Sequence, residues 1–120
     1  MSREYHEPYT ELSTEAQDIH RALTSLIEEL EAVDWYHQRA DVTTDESLRA
    51  VLLHNRDEEI EHASMALEWI RRRIPKFDAE LRTYLFTSAP ITEIEGGGES
   101  GEGAAGTDTA GGSLGIGNMK

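Results

Sequence analysis

An acid and a histidine sit inside an otherwise apolar stripe of this chain, and few folds tolerate that. In the segment Leu48, Val51, Leu52, Ala63, Ala66, Trp69, Ile70, the residues Glu59 and His62 interrupt the apolar series. At about 100° per residue both fall within the apolar arc of a helix rather than opposite it. Burying a carboxylate and an imidazole is costly unless something compensates, and a metal ion held between neighbouring helices is one compensation the spacing allows. A second carboxylate, Glu29, borders the apolar stripe of the preceding segment. Together the two segments would supply half of a two-metal carboxylate site.

The helical pattern is strong. Ile19, Leu23, Leu26, Leu30 and Val33 recur at helical spacing, and Ser13 or Thr14 is positioned to cap this first helix. Thr14 and Gln17 stand at capping-box spacing, and the pattern carries to about Ala40. The polar stretch 41–45 is a short connection, with Thr43 and Glu46 again at box spacing. A second helix is expected from Glu46 to Arg73, stopped by Ile74-Pro75 because proline lacks an amide donor and restricts the residue before it. Arg71, Arg72 and Arg73 suit its C-terminal dipole. A short third helix is expected from Phe77 to Phe86, and nothing favours strands.

Short connections make antiparallel neighbours. A two-helix hairpin has one apolar face that must be covered, and a second copy is the simplest cover, giving a four-helix bundle from a homodimer. Two-fold pairing would then supply two Glu-x-x-His segments and two further glutamates, the ligand set of carboxylate di-metal bundles. The alternative is structural: Glu59 and His62 form a buried hydrogen bond, or pair with an arginine such as Arg56. Tyr36, seven residues after Glu29 on the same helical face, could hydrogen-bond to a ligand or simply pack. Glu28 and Glu31 on the first helix, with His54, Glu58 and Glu61 on the second, form a further face of candidate weak metal sites, although charge runs at such spacing commonly serve only to solvate a helix.

Composition narrows the chemistry. Without cysteine there is no disulfide frame or thiolate site, so ligands are oxygen or imidazole nitrogen, which favours iron, manganese or zinc. The formal charge of −13 argues against nucleic acid and suits divalent cations, although a well-solvated surface with an acidic tail explains it equally well. No apolar leader or run of about eighteen apolar residues is seen, so a cytosolic protein with no membrane partner is expected.

The stretches 28–36, 54–59, 61–62 and 81–87 resemble the encapsulated ferritin-like proteins, the ferroxidase cargo of bacterial and archaeal encapsulin shells. These read Glu28-Glu29-Leu30-Glu31-Ala32-Val33-Asp34-Trp35-Tyr36, His54-Asn55-Arg56-Asp57-Glu58-Glu59, Glu61-His62 and Leu81-Arg82-Thr83-Tyr84-Leu85-Phe86-Thr87. The resemblance implies an all-α, ferritin-like antiparallel two-helix hairpin plus a short C-terminal helix, dimerising into a four-helix bundle. It implies that Glu29, Glu59 and His62 are ferroxidase ligands of a di-iron centre across a dimer interface, with Tyr36 close by. Glu28, Glu31 and Trp35 would lie on the path by which metal reaches the site, and His54, Glu58 and Glu61 would form a peripheral metal site, open to ions such as Ca, Mn or Zn. It further implies an open ring, a pentamer of dimers, which oxidises Fe(II) and leaves mineral storage to the shell. Where the family carries a lysine between the two second-helix glutamates, Ile60 stands here.

Residues 1–95 are thus expected to form the helical domain. Residues 96–112, rich in Gly, Ala, Ser, Thr and acid, read as a flexible linker. Residues 113–120, Ser113-Leu114-Gly115-Ile116-Gly117-Asn118-Met119-Lys120, could be a plain terminus, yet Leu114, Ile116 and Met119 are suited to a shallow groove. This octapeptide resembles the targeting peptide that docks cargo on an encapsulin shell, which would place the protein in the cytoplasm within the nanocompartment. The expected activity is ferroxidase. The alternatives are a non-catalytic metal-binding or scaffold cargo, or a peroxidase-type di-metal enzyme such as a manganese catalase.

Overall fold

A computed structural model describes residues 4–94, which fall into two units divided after Arg73. The expected linker, 96–112, and docking peptide, 113–120, lie outside the described residues. The described residues form helices and no strand.

Helix α1 spans Thr14–Val42 and is preceded by a 3-10 turn, Tyr9–Glu11. Of the two candidate caps, Ser13 is the one used: its backbone is extended and its Oγ accepts from the Ala16 amide at 3.0 Å, satisfying a donor that the first turn leaves free. The Gln17 side chain does not close a capping box. It turns back instead, donating from Nε2 to the carbonyls of Tyr9 at 3.2 Å and Leu12 at 3.3 Å, which ties the 3-10 turn to the helix. The helix runs two residues beyond the expected Ala40 before Thr43 turns extended.

Helix α2 spans Glu46–Arg73, the expected bounds. Its cap is Asp45, whose Oδ1 accepts from the Leu48 amide at 3.0 Å, rather than the expected Thr43 and Glu46 box. Thr43 Oγ1 instead accepts from the Asp45 amide at 3.2 Å, shaping the turn. Arg49 reaches back to α1, donating Nη1 to the Ala40 carbonyl at 2.7 Å and Nη2 to that of Thr43. A cation on the terminal carbonyls of α1 satisfies acceptors the helix end leaves open and complements its dipole.

The two helices pack as an antiparallel hairpin. Cross-helix partners run in opposite directions: Glu15 with Arg73, Glu29 with His62, His37 with Arg56, Ala40 with Arg49. Within the chain the hairpin encloses little. Among the described residues only Ala40, Ala63 and Ile70 are buried, whereas Leu30, Trp35, Val51 and Met65 are each more than half exposed. Two helices present a single contact line, so the rest of each apolar stripe is left to solvent or to another molecule.

In the second unit, α3 spans Pro75–Tyr84, beginning and ending two residues before the expected Phe77 and Phe86. Pro75 occupies the first helical position, where its missing amide costs nothing, with the extended Ile74 ahead of it. The helix ends where Leu85 turns extended, and the next residue, Phe86, at φ 62 is the sole non-glycine residue in the left-handed region among those described. Asp78 with Arg82 and Lys76 with Glu80 make i, i+4 ion pairs along α3. A 3-10 turn, Ile91–Glu93, follows Pro90.

Candidate metal centre

Glu29 and Glu59 stand equally far from Thr44, at the middle of the short connection. Folding the hairpin about that point brings them level, and His62, one turn beyond Glu59 on the same face, joins them. The structure brings these three expected residues together. His62 Nδ1 lies 3.3 Å from Glu59 Oε1 and 3.5 Å from Glu29 Oε1, and one donor atom from each residue falls within 4.8 Å of the others.

The site is less buried than the stripe led one to expect. The Glu59 and Glu29 side chains are 25% and 27% exposed, and His62 is 44% exposed. The reason is geometric. α1 covers only part of the α2 stripe, and His62 faces the uncovered side with Val51 and Met65. Of the two structural alternatives, the Glu59–His62 hydrogen bond is present, but Arg56 turns elsewhere, to Asp57 at 3.0 Å and His37 Nδ1 at 3.1 Å.

The electrostatics are those of crowded acids around a base. The hydrogen bond shared with Glu59 raises the Glu29 pKa, with burial adding to it. The same bond, together with His62, lowers that of Glu59. His62 is raised chiefly by its hydrogen bond to Glu59, and further by the charge of Glu29. Two carboxylates crowded beside an imidazole are a site a cation relieves, because it neutralises the charge the oxygens would otherwise hold against each other. Two carboxylate oxygens and one imidazole nitrogen suit iron, manganese or zinc, and three donors leave coordination positions open.

The other expected residues are less gathered. Tyr36 is half-buried on α1, with the Arg39 guanidinium 5.4 Å from its ring centroid, and it is not one of the three clustered donors. Glu28 is exposed, Glu31 half-buried, and Trp35 exposed. His54 Nε2 and Glu58 Oε2 meet at 3.1 Å on the surface, but Glu61 does not make a third donor with them. Sequence reasoning missed the Arg49 latch and the His37–Arg56 bond. Both involve long side chains crossing between helices, for which periodicity carries no signal. No helix among the described residues is long and apolar enough to cross a membrane.

Fold and site together define an all-helical hairpin protein with a carboxylate and histidine cluster suited to a metal. The chain belongs to the EncFtn-like family, whose pattern matches residues 4–88. It is 56% identical to a ferritin-like protein of Thermotoga maritima over 116 residues, 97% of each chain. It is 54% identical over 125 residues to the encapsulated ferritin-like protein of Rhodospirillum rubrum, covering 99% of this chain and 89% of that one. Among solved structures, protein ne0167 of Nitrosomonas europaea superposes with a TM-score of 0.72 at 61% identity, over 74% of this chain and 98% of the other.

Proposed function

We propose that this protein is a ferroxidase, oxidising Fe(II) to Fe(III) at a di-iron site that two copies complete, as cargo of an encapsulin shell in the cytoplasm. The observation that carries this reading is the convergence of Glu29, Glu59 and His62 from two helices. One chain offers three donors, too few for iron, and presents them on a face whose apolar residues are uncovered. A second hairpin on that face doubles the donor set and covers the apolar stripe at once. Ferritin-like and encapsulated ferritin-like are the names of relatives more than half identical to this chain, which supports both the iron chemistry and the shell. The assembly proposed is a ring of five such dimers, joined to the shell wall through Ser113 to Lys120.

In this reading Glu29 and Glu59 hold ferrous substrate and retain affinity for the harder ferric product, while His62 adds a nitrogen ligand. Each ferrous ion gives up one electron to dioxygen or peroxide and leaves as ferric. The protein supplies geometry and negative charge, and the redox chemistry belongs to iron. Tyr36 is the nearby hydroxyl available to hydrogen-bond to a ligand, and Glu28, Glu31 and Trp35 line the approach. His54 and Glu58, which meet on the surface, would form a weaker site that also takes calcium, manganese or zinc, with Glu61 joining as a third donor only once its side chain turns toward them.

The test is anaerobic loading of size-checked oligomers with Fe(II), then admission of air while ferric absorbance is followed. The proposal expects turnover beyond site stoichiometry in the wild type and none above the protein-free control in His62→Ala or Glu29→Ala. Stoichiometric binding without turnover would instead indicate a metal-holding scaffold, and rapid peroxide consumption without iron oxidation a peroxidase.

A further inference from the structure

His62 turns Nδ1 toward the two carboxylates, so Nε2 points away from them, and Nε2 makes no hydrogen bond among the described residues. A histidine that gives one ring nitrogen to a metal is ordinarily held by an acceptor on the other, which fixes its tautomer and orientation and raises its basicity. None of the residues described in the chain fills that role.

Asn55 is the polar group left over on the same face. It lies one turn before Glu59, about 40° round the helix from it, and is half-buried. Its neighbours on that face, Leu48, Val51 and Met65, are exposed apolar residues, and its side-chain amide has no hydrogen-bond partner among the described residues. It cannot serve His62 of its own chain, because seven residues separate them by about 10.5 Å along the axis.

A perpendicular two-fold axis changes the pairing. Two α2 helices related by it run antiparallel, and each residue faces one equally far from the axis on the other side. Asn55 faces the partner's His62 when the axis crosses α2 between Glu58 and Glu59. That same crossing brings the two Glu59 carboxylates together, as a shared site requires. One register therefore satisfies both conditions.

Building on the shared-site reading above, we propose that Asn55 is a positioning residue for the partner's His62, its amide oxygen accepting the hydrogen on Nε2. The bond occurs twice by symmetry. It also fixes register: sliding the helices by one heptad would set either His62 against Leu48 or Asn55 against Trp69 across the two-fold, so in each direction one of the two polar groups meets an apolar side chain, the means by which a single asparagine sets alignment in coiled coils.

The test uses the full-length oligomer and Zn(II), a redox-inert probe, with affinity measured by chelator competition and assembly checked by light scattering. Asn55→Leu should weaken Zn(II) binding roughly 10- to 100-fold with the oligomer intact. Asn55→Asp, which keeps the acceptor, should bind as tightly as wild type or more so. Unchanged affinity in Asn55→Leu, or equal losses in both variants, would overturn the proposal. In a crystal structure of the Zn(II)-loaded wild type, Asn55 Oδ1 should lie within about 3.2 Å of Nε2 of the partner's His62. A longer separation with no bridging bond would overturn it whatever the variants do. Should His62→Ala leave Zn(II) affinity unchanged, the shared site itself falls; should it abolish binding while Asn55→Leu does not, only the role of Asn55 falls.

Discussion

Oε1 of Glu29 on α1 lies 3.5 Å from Nδ1 of His62 on α2, the contact that joins the two helices at the candidate metal centre. It is one side of a triangle closed by Glu59, whose Oε1 lies 3.3 Å from the same nitrogen, so two carboxylates crowd one imidazole there. Such a cluster is tolerated by the empty protein rather than needed by it.

Removing one acid should therefore separate stability from chemistry. Glu29→Gln is expected to leave the chelator-treated protein as stable as the wild type or raise its Tm by a few degrees, since a like-charge contact is relieved. The same variant should lose iron oxidation. A scanning fluorimetry trace showing Tm lowered by several degrees would mean the carboxylate is structural.

The uncovered α2 face predicts a second separation. Val51→Lys places a charge on a half-exposed helix position remote from the ligands, so circular dichroism should keep its helical signature. Light scattering should show loss of the dimer, and iron oxidation should fall with it. Full activity in a proven monomer would refute a site completed by two copies.

Arg49 should matter for stability alone. Its guanidinium holds the carbonyls of Ala40 and Thr43, and losing hydrogen bonds from a charged donor to part-buried acceptors costs about 2 kcal/mol. Urea unfolding of Arg49→Ala should show a loss of about that size, with the metal affinity of the assembled protein unchanged.

Glu68 predicts an acid-side dependence. Hydrogen bonds from Arg71, then Arg72, pull its pKa from the usual 4.5 down to about 2. Since the folded value is the lower one, the stabilisation is complete above pH 4.5 and disappears as pH falls toward 2. With the side chain 42% exposed, screening holds it to about 1 kcal/mol or less. Glu68→Gln should accordingly lower Tm at pH 7 and converge with wild type near pH 2.

Deleting Ser113 to Lys120 should leave iron oxidation intact and abolish encapsulation. Continued co-purification of the shortened chain inside shells would refute the docking role of that segment.

Much of this architecture is legible in the residues, and the exceptions have physical causes. The α2 bounds follow from the polar connection before Glu46 and from Pro75, both strong local determinants. The caps were harder. Thr43 and Asp45 are both short acceptors, and box spacing does not say which takes the capping position. α3 ends at Tyr84 because Leu85 turns extended, and Phe86 follows with a left-handed backbone that its side chain disfavours, a combination no propensity anticipates. Glu59 and His62 were readable as a pair from their spacing, and Glu29 from its place on the neighbouring stripe. Their exposure was not, because periodicity marks an apolar arc without saying how much of it a chain's own partner helix covers. Asn55 hides for the same reason: its place on the α2 face with Leu48 and Val51 is visible, but its lack of a partner among the described residues appears only once side chains are set down.

The central claim is that two copies share one di-iron site, and the most direct measurement is anomalous diffraction at the iron edge from crystals of the full-length protein soaked anaerobically in Fe(II). The account predicts two adjacent iron peaks on either side of a two-fold axis, each bounded by Glu29, Glu59 and His62 donors drawn from both copies. Iron bound within single chains away from any partner, or peaks only at His54 and Glu58, would contradict it.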